Sequence, residues 1–278
     1  MNKVTQKLNH PKTQSPNAPT SQLRIVFLGT PDFIEPVIDT LNKNFDLVKI
    51  IRKPQDLNDE AIQSMKELSP DLFVVAAFGK ILTSEVLDIP KLGAINIHPS
   101  LLPIFRGSTP IQTAILKGYK ETGVSIIKMD EKMDHGPILE QFEEPILPND
   151  TFETLSKRLF KKSTDPLVNV IEHINEIKPK IQDEKKATFT KILSKEDGFI
   201  DIDNPPSNDM LKRMIRSYHP WPGTWTRSSI INHKSLIIKF LPDHRIQVEG
   251  KKPMNYNDFI NGYTNGEKFL RKINLIPN

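Results

Sequence analysis

The residues best suited to chemistry lie in two polar segments, residues 96–107 and 129–136. The first begins Asn96-Ile-His98 and continues through a proline-bracketed Ser-Leu-Leu loop, and the second contains Asp130 and Asp134. Side chains two positions apart on a strand point to the same face, so Asn96 and His98 can act on one substrate atom. An aspartate from the later loop would complete a site containing an amide, an imidazole and a carboxylate. Such a site suits stabilisation of an oxyanion and movement of a proton, which is the chemistry of acyl transfer.

Apolar strands alternate with helical segments around these residues. The pattern predicts strands at 23–28, 45–51, 72–77, 94–97, 123–129 and 139–146, and helices at 33–41, 59–68 and 109–116. This alternation is typical of an open α/β sheet of Rossmann type. The first loop, residues 29–33, lacks the Gly-x-Gly-x-x-Gly fingerprint, and no Gly-x-x-x-x-Gly-Lys-Ser/Thr loop occurs. Neither dinucleotide nor nucleoside triphosphate binding therefore has motif support.

The remaining chain differs in composition from this α/β part. A helix interrupted at Pro166 is predicted over 151–177, and a helix after Ser207, two strands at 236–241 and 245–249, and a helical C-terminus follow a charged, proline-containing stretch. A chain of 278 residues favours two domains. The fold class expected is α/β, a Rossmann-like domain with a smaller, shortened β-rich C-terminal domain. The predicted divisions are a disordered tail (1–22), a catalytic domain (23–180), a linker (181–205) and a basic C-terminal domain (206–278).

Composition limits the class of protein. The chain contains no cysteine, which excludes disulfides, a thiolate nucleophile and a cysteine-ligated metal. No apolar run approaches the roughly 18 residues of a transmembrane helix, so no membrane association is expected. Residues 1–22 lack the apolar core of a secretory signal. A cytoplasmic protein is expected, with an organellar location as the alternative because this segment has no acidic residue.

Charge is distributed unevenly along the chain. Residues 206–278 carry 12 Lys and Arg against 5 Asp and Glu, whereas residues 23–180 carry 19 against 23. A basic C-terminal quarter beside a mildly acidic body suggests a polyanionic partner for that quarter. A solvated lysine-rich surface explains the same charge equally well.

Several strings resemble the folate-dependent formyltransferases: residues 27–33, 77–82, 96–107 and 122–136. The string Gln247 to Met254, followed by Phe259-Ile-Asn-Gly-Tyr263, resembles the branch of that superfamily that acts on methionyl-tRNA. The resemblance extends from about residue 23 to 265. It implies transfer of a formyl group from 10-formyl-tetrahydrofolate to the α-amino group of methionyl initiator tRNA.

The resemblance also implies roles for individual residues. It identifies Asn96, His98 and Asp134 as catalytic, and Asp130 as a turn residue. An α-amino group with a pKa of about 8 is partly neutral and nucleophilic at pH 7. Asn96 and His98 suit donation to the oxyanion, while Asp134 can orient the imidazole and help remove the amine proton. The folate is expected against residues of two loops: Ser100, Leu101, Leu102, Pro103, Phe78, Gly79 and Ile81.

Partners follow from the same resemblance and from the basic residues. A monomer is expected, and the histidines show no metal-ligand spacing such as His-Glu-x-x-His, so no metal is predicted. For Arg106, contact with a folate or tRNA anion and a structural salt bridge are both open. The predicted tRNA contacts are Arg106, Lys212, Arg213, Arg216, Lys251 and Lys252.

Two departures from the family pattern leave alternatives open. The tRNA branch carries a long basic loop where this chain has only residues 52–58, and the C-terminal domain is short. A sugar-nucleotide N-formyltransferase would lack that loop but would not explain the basic C-terminal quarter. A glycinamide ribonucleotide formyltransferase would need a phosphate loop at 29–33. A non-catalytic RNA-binding module would not need Asn96, His98 and Asp134 together.

Overall fold

A six-stranded sheet forms the centre of the first domain. The structure is a computed structural model that describes residues 23–229 and 235–277, so the predicted tail lies outside the described residues. The strand order is β2-β1-β3-β4-β5-β6, with β1 to β4 parallel and β5 and β6 each antiparallel to its predecessor. The strands are Arg24–Gly29 (β1), Asp46–Ile51 (β2), Leu72–Ala76 (β3), Ala94–His98 (β4), Glu121–Lys128 (β5) and Ile138–Pro145 (β6).

Helices cover both faces of this sheet, which is why β3 is buried along its whole length. Apolar residues of α1, α4, α5 and α6 pack on one face, and those of α2 and α3 on the other. No helix in the described ranges is long and apolar enough to cross a membrane. The helices are Glu35–Asn44 (α1), Asp59–Leu68 (α2), Ser84–Leu87 (α3), Pro110–Leu116 (α4), Phe152–Lys162 (α5) and Thr164–Glu172 (α6).

The single interrupted helix predicted over 151–177 is two helices that meet at Ser163. Pro166 is the third residue of α6, where a missing N–H is harmless because first-turn N–H groups have no partner within the helix. The helix is therefore interrupted at Ser163, three residues before Pro166, where the sequence predicted the interruption.

The C-terminal domain is built on a four-stranded antiparallel sheet of order β10-β9-β8-β7. Its core includes Phe240, Phe259 and Phe269. The predicted α/β class with a smaller β-rich domain is confirmed. The C-terminal domain has four strands in its described residues, whereas the sequence predicted two. The elements are Asn208–Tyr218 (α7), Thr224–Ser228 (β7), Leu236–Leu241 (β8), Arg245–Val248 (β9), Met254–Asn255 (β10), Tyr256–Gly262 (α8) and Gly266–Lys272 (α9).

Helix α7 joins the two domains by packing against α4. Arg216 Nη1 donates to the backbone oxygen of Asp150 at 2.8 Å. A Cβ placed on Gly118 would lie 2.1 Å from Arg213 Nη1, so the guanidinium of Arg213 rests directly on the backbone after α4.

A buried ion cluster centred on Arg158 supports this junction. Its Nε donates to Glu144 at 2.7 Å and its Nη1 to Asp150 at 2.8 Å, and each acidic side chain is 4% exposed. Burial alone would raise the pKa of Asp150, but hydrogen bonds from Arg158, the Leu147 N–H and Thr154 hold that pKa below its ordinary value. Asp150 therefore stabilises the fold as a carboxylate.

We expect Arg158→Met to lower the free energy of unfolding by about 3 kcal/mol, because it removes the guanidinium that pairs with the buried Asp150 and leaves the buried Glu144 paired with Lys162. Urea denaturation measures the loss. Lys157→Met, which breaks an exposed pair with Glu153, should cost less than about 0.5 kcal/mol.

The loss should also depend on pH. A carboxylate with a lowered folded-state pKa stabilises the protein above its unfolded pKa of about 4, and this stability disappears as pH falls through the lowered value. The difference between wild type and Arg158→Met should therefore shrink on acidification. A difference that stays constant from neutral pH to pH 3 would contradict this account.

Candidate active site

The three predicted catalytic side chains meet at one carboxylate. Asn96 and His98 lie on β4, and Asp134 lies in the loop between β5 and β6. Asn96 Nδ2 donates to Asp134 Oδ1 at 3.2 Å, and His98 Nδ1 lies 3.5 Å from the same oxygen. The other oxygen, Oδ2, accepts the Gly107 N–H at 2.7 Å. The carboxylate is thus fixed from two sides, by β4 and by the loop that follows it.

His98 is almost fully buried and has a protein partner at each ring nitrogen. Its Nε2 lies 3.0 Å from the backbone oxygen of Phe105. A carbonyl oxygen only accepts, so this contact assigns a hydrogen to Nε2, while Nδ1 faces Asp134. Both ring nitrogens face protein oxygens, so these contacts argue against the predicted donation from His98 to an oxyanion. This geometry suits holding a proton with Asp134.

Asn96 remains suited to an oxyanion. Its contact with Asp134 fixes the amide with the nitrogen towards the carboxylate and uses one of two N–H hydrogens. Within the part of the chain that the structure describes, the second hydrogen has no partner. The side chain is half-buried, so this hydrogen can donate to a substrate oxygen.

The Ser100–Pro103 loop is held by the protein's own polar groups. The Ser100 N–H donates to the backbone oxygen of His98, and the Leu102 N–H donates to Ser125 Oγ. The Ser100 oxygen accepts from Ser125, and the Leu102 oxygen accepts from Gln141 Nε2. Leu102 is buried and Leu101 is half-buried. In the described ranges, the Leu101 N–H is the backbone donor of this loop that has no partner. The backbone groups left to contact folate are therefore this N–H and the carbonyl oxygens, each of which can accept a second hydrogen bond.

The predicted facing wall, residues 78–81, divides into a buried and an open part. Phe78 is 3% exposed and packs in the core, so its ring supports the turn from behind. Gly79 has a φ of 73° and nothing within 4 Å of where its Cβ would be, and Ile81 is 66% exposed. An apolar ligand surface can therefore contact Gly79 and Ile81, but not Phe78.

For Arg106, the structure contains the internal salt bridge. The guanidinium is 2% exposed and donates to Gln182 Oε1 through Nε and Nη2, at 3.1 and 2.8 Å. It also pairs with Glu184, at 2.6 Å, and holds the pKa of that carboxyl below its ordinary value. Because its donors are used inside the protein, these contacts favour the structural salt bridge over a phosphate contact for Arg106.

The basic residues of the C-terminal quarter fall into two groups. Arg213 pairs with Asp209 at 2.9 Å and rests on Gly118, while Arg216 is turned towards Asp150, and its burial lowers its pKa. These two guanidinium groups stabilise the domain junction, which argues against the predicted phosphate contacts. The exposed members of the predicted set are Lys212, Lys251 and Lys252.

Residues of the predicted linker complete the site, and sequence reasoning missed them. Phe105 N–H donates to Thr188 Oγ1 at 2.8 Å, and the backbone of Arg106 pairs with Thr188 and Thr190 on either side of Phe189. The charge and proline content of this stretch predicted a linker and not this pairing. The alternation Thr188-Phe-Thr190 was the one strand-like signal.

Comparison with known proteins places the chain among formyl-transferring enzymes. Residues 42–171 match a family model described as formyl transferase. A methionyl-tRNA formyltransferase of Thermus thermophilus is 36% identical over 233 residues, covering 73% of this chain and 75% of that protein. The methionyl-tRNA formyltransferase of Roseiflexus castenholzii is 39% identical over 238 residues, with coverage of 73% and 75%.

Solved structures share the fold at lower identity. A methionyl-tRNA formyltransferase from Clostridium thermocellum has a TM-score of 0.67 at 18% identity and covers 84% of this chain and 99% of its own. A sugar N-formyltransferase from Shewanella has a TM-score of 0.62 at 19% identity, with coverage of 80% and 98%. Two different acceptor classes thus occur on this fold, and the acceptor has to be argued from the chain itself.

Proposed function

The chain belongs to the methionyl-tRNA formyltransferase family, and on this premise we propose that it transfers a formyl group from 10-formyl-tetrahydrofolate to the α-amino group of methionyl initiator tRNA. The observation that carries the proposal is the meeting of Asn96 and His98 at one oxygen of Asp134. The reaction serves translation initiation, and the proposed location is the cytoplasm.

Each group has a distinct task in this proposal. The folate supplies, when bound, a formyl carbon attached to nitrogen. The free N–H of Asn96 donates to the formyl oxygen as negative charge develops there, a contribution that is typically about 3 kcal/mol in comparable sites. Asp134 accepts the proton that the attacking amine loses, and His98 Nδ1 beside it can share that proton until the departing nitrogen takes it.

Open apolar groups of the two predicted folate loops would hold the folate. A Cβ on Gly123 would lie 2.5 Å from Leu101 Cδ2, so the absence of a side chain on β5 lets Leu101 lie flat against the strand. The half-buried Leu101 and the exposed Ile81 offer apolar surface for a ring system, and the Leu101 N–H offers one donor. The residues present therefore fit a flat, largely apolar ligand with polar edges.

The proposal is tested by assaying the purified protein with 10-formyl-tetrahydrofolate and three acceptors in parallel. These are methionyl initiator tRNA, an amino-sugar nucleotide and glycinamide ribonucleotide. The expected result is a kcat/KM for charged tRNA at least about 100-fold above that for either small acceptor. A higher kcat/KM for the amino-sugar nucleotide would replace the proposal with the sugar-nucleotide alternative.

We also propose that residues 23–180 form the catalytic domain and that residues 206–278 bind tRNA. Lys212, Lys251 and Lys252 are the predicted contacts that remain exposed, and Lys251 and Lys252 lie in the turn between β9 and β10. Adjacent exposed lysines suit a phosphate backbone, because neutralising phosphates releases condensed counterions.

Changing both Lys251 and Lys252 to Ala should weaken tRNA binding and reduce the slope of log K against log salt by about 1 per lost phosphate contact. Binding is measured at several salt concentrations. Lys43→Ala with Lys161→Ala removes two exposed lysines from the first domain and serves as the matched control. An affinity and slope equal to wild type would remove Lys251 and Lys252 from the interface.

A further inference from the structure

We propose that Gln182, in the segment between the two domains, is the positioning residue for Asp134. Its Nε2 donates to the backbone oxygens of Asp134 at 2.8 Å and Gly136 at 2.7 Å, and the side chain is 6% exposed. Gln182 touches neither His98 nor Asn96 in any of these contacts. It acts on the loop that carries the Asp134 carboxylate. The inference therefore rests on the proposed function in one respect, that the reaction requires Asp134.

The loop that Gln182 holds is locally strained. Asp134 has a φ of 49°, a left-handed conformation that is uncommon outside glycine, although aspartate adopts it more readily than most residues. Two residues later, a Cβ on Gly136 would lie 1.8 Å from the backbone oxygen of Lys128, so the chain turns back tightly onto β5. A strained turn of this kind persists when its surroundings hold it, and Gln182 binds both of its inward-facing carbonyls.

Arg106 fixes which way the Gln182 amide faces. Oε1 of Gln182 accepts two hydrogen bonds from the Arg106 guanidinium, so the oxygen is on the arginine side and Nε2 is on the carbonyl side. Glu184 neutralises the buried guanidinium. The amide therefore cannot turn over without breaking two charge-assisted hydrogen bonds and two donations to carbonyls.

The same arrangement holds the Asp134 side chain as well as its backbone. Gly107, the residue after Arg106, donates its N–H to Asp134 Oδ2. Gln182 thus ties together the two loops, 105–107 and 134–136, whose contacts determine where Oδ1 faces Asn96 and His98. A displacement of about 1 Å at such a site can cost about 100-fold in rate.

Gln182→Glu tests the two donations with little change in shape. One carboxylate oxygen keeps the contact with Arg106, while the other replaces Nε2 and repels the carbonyls of Asp134 and Gly136. We expect kcat to fall between about 10- and 100-fold, with KM for tRNA and for folate within about threefold of wild type. Gln63→Glu makes the same chemical change on the exposed surface of α2 and should leave kcat unchanged.

A double-mutant cycle with Asp134→Asn separates positioning from general damage. If Gln182 acts through the carboxylate, Gln182→Glu should cost less than about threefold once Asp134→Asn is present. An equal loss in both backgrounds, or no loss in the wild-type background, would overturn the proposal. Gln182→Met repeats the cycle if the Glu variant does not fold. The cycle is run with whichever acceptor the wild-type protein formylates, so an error in the assigned acceptor stays distinguishable from an error about Gln182.

Discussion

Asp134→Asn should lower kcat by at least about 100-fold, the usual effect of removing a group that accepts a proton in the transition state. An asparagine keeps the shape of the side chain, and its oxygen can still accept the Gly107 N–H. The amide cannot take the proton of the attacking amine, however, and it cannot stabilise a protonated His98. KM for folate should stay near the wild-type value, because the change removes a transition-state interaction. Steady-state and single-turnover kinetics together measure this loss.

Asp130→Asn is the matched control for that experiment. Asp130 lies in the same loop, where it accepts the Lys132 N–H at 2.9 Å and pairs with His135 at 2.6 Å. It makes no contact with Asn96 or His98 among the described interactions, and its geometry is that of the turn residue predicted from sequence. Its variant should retain activity within about threefold of wild type. If Asp134→Asn keeps more than about a third of wild-type turnover, the carboxylate is not the proton acceptor.

Asn96→Ala should lower kcat by about 100- to 1,000-fold, as the loss of a single oxyanion donor does in comparable sites. The substitution removes the hydrogen directed at the substrate and the donation to Asp134 Oδ1. It should not unfold the protein, because Asn96 is half-buried and its backbone pairs within the sheet. Circular dichroism and folate binding should therefore match the wild type while turnover falls.

Asn169→Ala provides the corresponding control on the exposed surface of α6. Alanine is at least as good a helix former there, so activity and stability should both be preserved. Turnover by Asn96→Ala close to that of Asn169→Ala would exclude Asn96 as an oxyanion donor. The formyl oxygen would then have to be stabilised by another donor, such as the Leu101 N–H.

Local patterns predicted most of the first domain. The parallel strands were recognisable because they are buried on both faces and therefore read as apolar runs. The bounds of α2 agree with the predicted 59–68. Strand β7 was missed because its interior face is Thr224, Thr226 and Ser228, which gives no apolar alternation. Its outward residues, Trp225 and Arg227, gave no strand signal either.

In the candidate site, too, some residues were predictable from local sequence and others were not. Asn96 and His98 follow from the two-residue period of a strand, and Asp134 came from the resemblance of the later loop to a family motif. The contact of Gln182 with Arg106 spans 76 residues, and no local pattern marks either end of it. Such contacts depend on the tertiary fold, which is why the sequence left two interpretations of Arg106 open.

The position of residues 182–191 against the catalytic loop has a consequence for how the enzyme is made. Asn96, His98 and Asp134 leave the ribosome before Gln182, Thr188 and Thr190 are synthesised. A nascent chain that has reached residue 180 holds every catalytic side chain, but Arg106 is still without its partners and the carbonyls of the 134–136 turn are still without their donor. On the proposed role of Gln182, a chain that ends at residue 180 is therefore expected to hold every proposed catalytic side chain and yet to have little activity, because the 134–136 turn lacks its donor.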